Sequence, residues 1–135
     1  METTAAFRLS GNATLTAAAV TQRLGIEPTY AVEMGVPVSS RSAAIRQGSL
    51  WLLASSPAAE TGTELAGHLH RLLVILEPAT APLGELVRVG YDANWLCYIA
   101  EPATEHAAEL DRQTMQRVLA LPGDIWLDVY GHDTV

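Results

Sequence analysis

The feature of this sequence that most constrains its fold is a leucine stripe between Thr63 and Glu77. Its members recur at i, i+4, i+7, i+8 and i+11, the spacing of one face of an α-helix; they are Leu65, Leu69, Leu72, Leu73 and Leu76. Pro78 ends this helix, and Pro82 begins a shorter one that stops at Gly90. The pattern predicts a helical hairpin whose apolar face must be covered by a second layer.

Both ends of the chain show the same order of elements around this hairpin. Each end is predicted to contain a strand, a helix whose N-terminus carries a hydrophobic staple, a Gly or Pro that ends this helix, and a second strand. The predicted strands are 4–10, 49–55, 91–100 and 125–130, and the predicted outer helices begin at Thr16 and Asp111. We therefore expect one α+β domain spanning residues 1–135, with a four-stranded, mainly antiparallel sheet made from two βαβ-like halves. Its helices lie mainly on one face, and the ferredoxin-like architecture is a relative.

Residues 27–48 have no clear period and are predicted to form a long loop. Gly35, Pro37 and the serine-rich stretch 39–42 favour this interpretation. Long loops in compact domains are often functional, so this segment is a candidate binding element.

The formal net charge of −7 limits the classes of partner. Phosphate backbones and anionic membranes require clustered Lys and Arg, and the eight such residues here are scattered along the chain, so we predict no nucleic-acid and no membrane partner. An acidic surface favours a basic partner, although it also serves solubility. The N-terminus lacks a signal-peptide pattern and the longest apolar run, 95–100, is short, so we expect a cytoplasmic protein.

No motif predicts a catalytic centre, a metal site or a cofactor. The glycine-rich phosphate loops are absent from the sequence. The pairs Glu64/His68 and His106/Glu109 could each supply only two metal ligands, and both are expected on solvated helix faces. The single cysteine, Cys97, is expected to be a buried and inert thiol. The sequence thus favours a protein that is not an enzyme.

One face of the predicted sheet has an unusual composition. If residues such as Leu50 and Leu52 point toward the helices, strand alternation sends a second set outward. That set includes Arg8, Trp51, Tyr98, Trp126, Asp128 and Tyr130. Aromatic residues with a paired Arg and Asp are enriched at binding hot spots. Two alternatives stay open: the segment 27–48 could cover this face as a second small core, or two copies could pair face to face.

Several short motifs, in their order and spacing, resemble those of a known family. They are Phe7-x-Leu9-x-Gly11, Leu24-Gly25-Ile26-x-Pro28-Thr29, Gly48-Ser49-Leu50-Trp51, His68-Leu69 with Leu76-Glu77-Pro78, and Leu127-Asp128-Val129-Tyr130. The chain resembles, over nearly its whole length, the bacterial family described as domain of unknown function 4279 (DUF4279). The resemblance implies a small stand-alone bacterial domain and supplies no activity, and proteins of this kind are expected among immunity-type or accessory genes.

These observations lead to three hypotheses on function. The first is a non-enzymatic binding protein that uses the aromatic sheet face, with immunity against a basic toxin as its most concrete form. The second is a small-molecule enzyme, or an accessory subunit of one, with a pocket between the sheet and residues 27–48 in which Arg8 and Asp128 are the polar groups. The third is a homodimeric structural module. The expected partner is accordingly a protein, a second copy or a small-molecule ligand.

Overall fold

The computed structural model describes residues 2–56, 58–102 and 107–132. The strands are β1 (Glu2–Ser10), β2 (Tyr30–Val32), β3 (Leu50–Ala54), β4 (Glu60–Thr61), β5 (Asp92–Pro102) and β6 (Asp124–His132). The helices are α1 (Ala17–Leu24), α2 (Leu65–Leu76), α3 (Thr80–Val89) and α4 (Arg112–Leu119), with a 3₁₀ turn (Glu77–Ala79) between α2 and α3. The α+β class is confirmed.

The sheet is larger than predicted and it is mixed. Five strands lie in the order β2-β3-β1-β5-β6, and the two-residue β4 pairs with the start of β1. The prediction of a four-stranded, mainly antiparallel sheet was therefore wrong, because β6 runs parallel to β5 and because the segment predicted as a loop contains β2. The parallel pair follows from α4, which carries the chain back across the sheet before β6 begins.

The first half of the chain closes its βαβ unit differently from the prediction. β1 and β3 are antiparallel, and so are β3 and β2. It follows that β2 runs parallel to β1. α1 connects the two strands along the chain, and β3 lies between them in the sheet. This split arrangement was not visible in the sequence because β2 has only three residues.

All four helices pack on the face of the sheet that carries Phe7 and Trp95. These two rings make an edge-to-face contact with centroids 4.9 Å apart. The predicted leucine stripe of α2 is buried against this face, which confirms the helical hairpin. None of the helices in the described residues is long and apolar enough to cross a membrane.

The segment between α1 and β3 is anchored at the β2 edge of the sheet. The carboxylate of Glu33 accepts hydrogen bonds from the backbone N–H groups of Ala17 and Ala18, at 2.8 and 3.0 Å, and so caps α1 together with the hydroxyl of Thr16. β2 lies at the opposite edge from β6. Residues 27–48 therefore extend the sheet on the side away from Trp126 and Tyr130.

Two turns cross closely at Gly11, which explains why the motif Phe7-x-Leu9-x-Gly11 ends in glycine. The N–H of Gly11 donates to the carbonyl of Ser49 at 3.0 Å, and a Cβ at Gly11 would lie 2.1 Å from the carbonyl oxygen of Leu15. The hydroxyl of Ser49 donates to the same oxygen of Leu15 at 2.6 Å. Only glycine fits position 11, and this crossing fixes the start of β3 beside the end of β1.

Candidate functional site

The sheet face opposite the helices, here called the outer face, carries five of the six predicted site residues. Arg8 on β1, Tyr98 on β5, and Trp126, Asp128 and Tyr130 on β6 all have outward register. The uncovered aromatic surface predicted from strand alternation is therefore present on β5 and β6.

The sixth predicted residue, Trp51, points the other way and is fully buried. The antiparallel register pairs Trp51 with Leu9, so both side chains enter the helical side of the sheet. Its indole N–H donates to the hydroxyl of Thr21 on α1 at 3.0 Å. The outward placement of Trp51 was wrong because residues 50–53 are all apolar and offer no alternation to read. Leu50 and Leu52 take the outward positions instead and are half-buried.

A groove of about 360 Å³ crosses the outer face between β1 and β6. Its volume lies within the range of small-ligand sites. Its described lining consists of Thr4, Ala6, Leu96, Cys97, Tyr98, Trp126, Leu127 and Asp128. β1 presents the small side chains of Thr4 and Ala6 where β5 presents Tyr98 and Leu96 and β6 presents Asp128 and Trp126, and this difference in size leaves the groove.

Trp126 forms one side of the groove and is 58 % exposed. The guanidinium carbon of Arg8 lies 5.9 Å from the centroid of its ring, which is within cation–π range. Arg8 is held in place by a hydrogen bond from Nη2 to Oδ1 of Asn94 at 3.0 Å. Its Nε is buried and has no hydrogen-bond partner within the described residues.

Two tyrosines lie close together at the other end of the groove. The rings of Tyr98 and Tyr130 have centroids 5.4 Å apart and are tilted by 42°. Asp128 pairs in register with Tyr98. A carboxylate beside two aromatic rings thus lies at this end, and it is the single carboxylate among the described lining residues.

Arg8 and Asp128 do not form the pair that the sequence suggested. Arg8 is level with Asn94, and Asp128 is level with Tyr98 four residues further along β5. The structure separates the two charges: Asp128 lines the groove, whereas Arg8 is hydrogen-bonded to Asn94. Arg8 and Asp128 therefore lie at different ends of the outer face.

The segment 27–48 does not cover the aromatic residues. No residue of this segment lines the groove, and Trp126 and Tyr130 are exposed. The alternative in which this segment buries them as a second core was wrong, because β2 adds to the far edge of the sheet. The segment does contribute one aromatic side chain, Tyr30, at the far end of the outer face, where its hydroxyl accepts from Arg46 at 3.1 Å.

The thiol of Cys97 is buried and points away from the outer face. It is almost fully buried, and this burial raises its pKa to about 11. The thiolate, which is the reactive form, is therefore scarce at neutral pH. The interpretation of Cys97 as a buried thiol is confirmed.

Sequence reasoning missed a buried polar cluster that ties α2 to the sheet. His68 is fully buried, and its Nδ1 lies 2.7 Å from the hydroxyl oxygen of Ser55. The same oxygen accepts from the backbone N–H of Ala5 at 3.1 Å. The expected solvated position of His68 was wrong. It lies three residues after Leu65 and four before Leu72, at the centre of the buried stripe, and this spacing was the signal that could have found it.

Metal binding finds no support in the described part of the chain, where no cluster of three or more His, Cys, Asp or Glu side chains occurs. His106, one of the paired residues singled out in the sequence, lies outside the described residues. The sheet face thus remains the site with the most distinctive composition.

Comparison with known proteins identifies one family. The model of the family described as "Domain of unknown function (DUF4279)" matches residues 1–132 of the 135-residue chain. The chain has no significant match to a curated protein or to a solved structure.

Proposed function

The chain belongs to the DUF4279 family, and we propose that it is a non-enzymatic binding protein whose outer-face groove receives a basic side chain of a partner protein. The observation that carries the proposal is the placement of Asp128 beside Tyr98 and Trp126 in one open groove. Aromatic faces and a carboxylate are the groups that bind an ammonium or guanidinium cation in water-accessible sites.

The size and exposure of the groove fit one inserted side chain. Its volume of about 360 Å³ can hold an aliphatic stem, and Trp126 offers more than half of its surface to a partner. The stem of Lys or Arg would pack on the indole while its charged end reaches Asp128. Rigid aromatic residues of this kind supply much of the binding energy in protein interfaces.

The charge of the whole chain supports the same class of partner. A formal net charge of −7 creates a field that attracts basic proteins and speeds their association at low ionic strength. Inhibition of a basic toxin, an immunity-type role, is the most concrete form of this function.

A binding role also fits the chemistry of the lining better than catalysis does. Among its described lining residues the groove offers one carboxylate, Asp128, while the thiol of Cys97 faces the helical side of the sheet, where burial raises its pKa. Nucleophilic catalysis needs an activated nucleophile, usually with a base within hydrogen-bond reach. Recognition requires only the rings and the charge.

Calorimetry with a short peptide of alternating lysine and glycine residues tests the proposal. We expect binding, with quenching of Trp126 fluorescence, and no binding of the peptide in which glutamate replaces lysine. Binding should weaken as the salt concentration rises, because the attraction is electrostatic. Substitution of Asp128 by Asn should weaken it about tenfold, the loss expected for one charge-assisted contact.

Asp124→Asn is the matched control. Asp124 lies on the same strand and the same face and is exposed, but it does not line the groove. It changes the net charge by the same amount, so its effect on affinity should stay below about twofold. Equal losses in the two variants would mean that the whole-chain charge, and not the groove, attracts the peptide, and the proposal would be rejected.

A further inference from the structure

β6 is a long edge strand without the features that normally protect such an edge. It has nine residues, Asp124–His132, and pairs on one side with β5, while no described strand pairs with its other side. Natural edge strands are usually short or interrupted by Lys, Pro or a bulge. β2, at the other edge, has only three residues, whereas β6 contains no Lys, Arg or Pro.

Both faces of β6 expose large apolar side chains. Trp126 and Tyr130 project from the outer face, and Ile125, Leu127 and Val129 project from the helical face. Leu127 is 58 % exposed and Val129 is 62 % exposed. A strand at the edge of a stable monomer would normally direct at least one polar face to water.

The short α4 explains why the helical face of β6 is uncovered. Its buried residues, Thr114 and Val118, pack toward α2 and the start of β6. Of the residues of β6, only Ile125 lines the cavity between α4 and the sheet. Leu127 and Val129 lie beyond this contact and remain uncovered.

We propose that β6 pairs with β6 of a second copy of the chain, in antiparallel orientation, so that one sheet runs through both copies. A strand with apolar side chains on both faces is complemented by another strand of the same kind, and β6 is itself such a strand. A two-fold axis makes two identical strands antiparallel and gives a closed dimer with no edge left exposed at β6. The combined ten-stranded sheet is within the usual size of open sheets.

The sequence of β6 selects the register of this pairing. With Leu127 on the two-fold axis, Leu127 meets its own copy and Ile125 meets Val129, so apolar side chains pair on the helical face. On the outer face each Asp128 then lies opposite Trp126 of the other copy. A shift that puts Asp128 on the axis would place two carboxylates directly opposite each other, which is destabilising.

The surface available on β6 is enough for a stable dimer. The exposed parts of its five large apolar side chains amount to about 500 Å² per copy, so the two copies together offer roughly 1,000 Å², the area at which specific interfaces begin. Backbone hydrogen bonds along the strand add to this. This pairing brings Trp126 and Asp128 of each groove beside the other copy, so the two grooves meet across the axis. The dimer and the binding of a basic side chain are tested separately, by sedimentation and by peptide calorimetry.

Disulfide trapping tests the register directly. Leu127→Cys places two thiols across the axis at a separation that a disulfide spans, whereas Val129→Cys places each thiol opposite Ile125. Under mild oxidation we expect more than about half of the Leu127→Cys protein to become a covalent dimer, against less than about a tenth of the Val129→Cys protein. Cys97 is buried and does not compete. Equal cross-linking of the two variants, or stronger cross-linking of Val129→Cys, overturns the register.

Sedimentation velocity of proteins without added cysteines tests the association itself. The unmodified chain should sediment as a dimer at tens of micromolar and Val129→Lys as a monomer, because the substitution puts a charge among apolar side chains. Val89→Lys is the matched control, since Val89 is 63 % exposed at the end of α3 and makes the same change in charge. A monomeric unmodified chain, or equal dimerisation of both variants, overturns the proposal. Salt should strengthen this dimer by screening like charges, the reverse of its effect on the basic peptide.

Discussion

The guanidinium carbon of Arg8 lies 5.9 Å from the centre of the Trp126 ring, two strands away across the outer face. Nη2 of Arg8 donates to Asn94 on the intervening strand, so the side chain is directed across β5 toward β6. The contact covers part of an indole that is otherwise open to water and fixes one side of the groove.

Removal of Arg8 should therefore expose Trp126 further. In Arg8→Ala we expect quenching of tryptophan fluorescence by acrylamide to increase about 1.5-fold, because the long side chain no longer covers the ring. Trp51 and Trp95 are fully buried, so accessible emission comes from Trp126. Arg41→Ala, which removes an exposed arginine from the segment at the far edge, should leave the quenching unchanged. Equal quenching of both variants would contradict the contact.

The hydroxyl of Ser55 contacts both the buried His68 and the N–H of Ala5. Ser55→Ala removes the hydroxyl that contacts His68 and Ala5 in a buried site. We expect the free energy of unfolding to fall by about 1–3 kcal/mol, because these buried polar groups lose a hydrogen-bond partner. Urea denaturation measures this change. Ser40→Ala, at an exposed position, should lower it by less than about 0.5 kcal/mol. A loss in Ser55→Ala as small as in this control would mean that the cluster does not stabilise the attachment of α2.

The ion pair between Arg117 on α4 and Glu77 predicts a specific dependence on acid. Nη2 and Nε of Arg117 donate to the two carboxylate oxygens at 2.5 and 3.1 Å, and the pKa of Glu77 is lowered from its ordinary value of 4.5, mainly by this hydrogen bonding. A lowered folded-state pKa adds stability above the unfolded value of about 4.5, and this stability is lost as the pH falls through the folded value.

Urea midpoints between pH 6 and pH 3 measure this effect. The parent protein should lose more stability on acidification than Arg117→Met, because the variant no longer lowers the pKa of Glu77. The two curves should converge at the acid end. Parallel curves over the whole range would show that the pair contributes no pH-dependent stability.

The buried thiol of Cys97 should react slowly in the folded protein. Its pKa of about 11 leaves little thiolate at pH 8, and the strand is covered on the helical side. We expect less than about a tenth of the protein to react with an aromatic disulfide reagent within minutes, and complete reaction in denaturant. Rapid reaction of the native protein would place Cys97 at an accessible position, contrary to the structure.

The elements determined by local chemistry were predicted well. α1 begins after Thr16, whose hydroxyl accepts from the N–H of Ala19, and ends at Gly25 in the left-handed conformation, as its capping residues indicated. The alternation along β5 and β6 placed Tyr98, Trp126 and Tyr130 on the outer face correctly. In these cases the deciding signal lies within a few residues of the feature.

The groove depends on residues that do not stand out in the sequence. Thr4 and Ala6 matter only because β1 lies beside β5, where the larger Tyr98 and Leu96 are level with them. A strand pattern gives the face of each residue but not the neighbour across the sheet. The aromatic residues could therefore be found from the sequence, and the cavity between them could not.

The amino-acid order by itself determined the start and end of α1, the leucine face of α2 and the outward faces of β5 and β6, because capping and periodicity act over one or two turns. Tertiary structure alone decided that Trp51 is buried and that β2 joins the sheet while β6 ends it. Each of these depends on a partner distant in sequence, such as Leu9 or β3. An all-apolar run or a three-residue strand carries too little local information to select that partner.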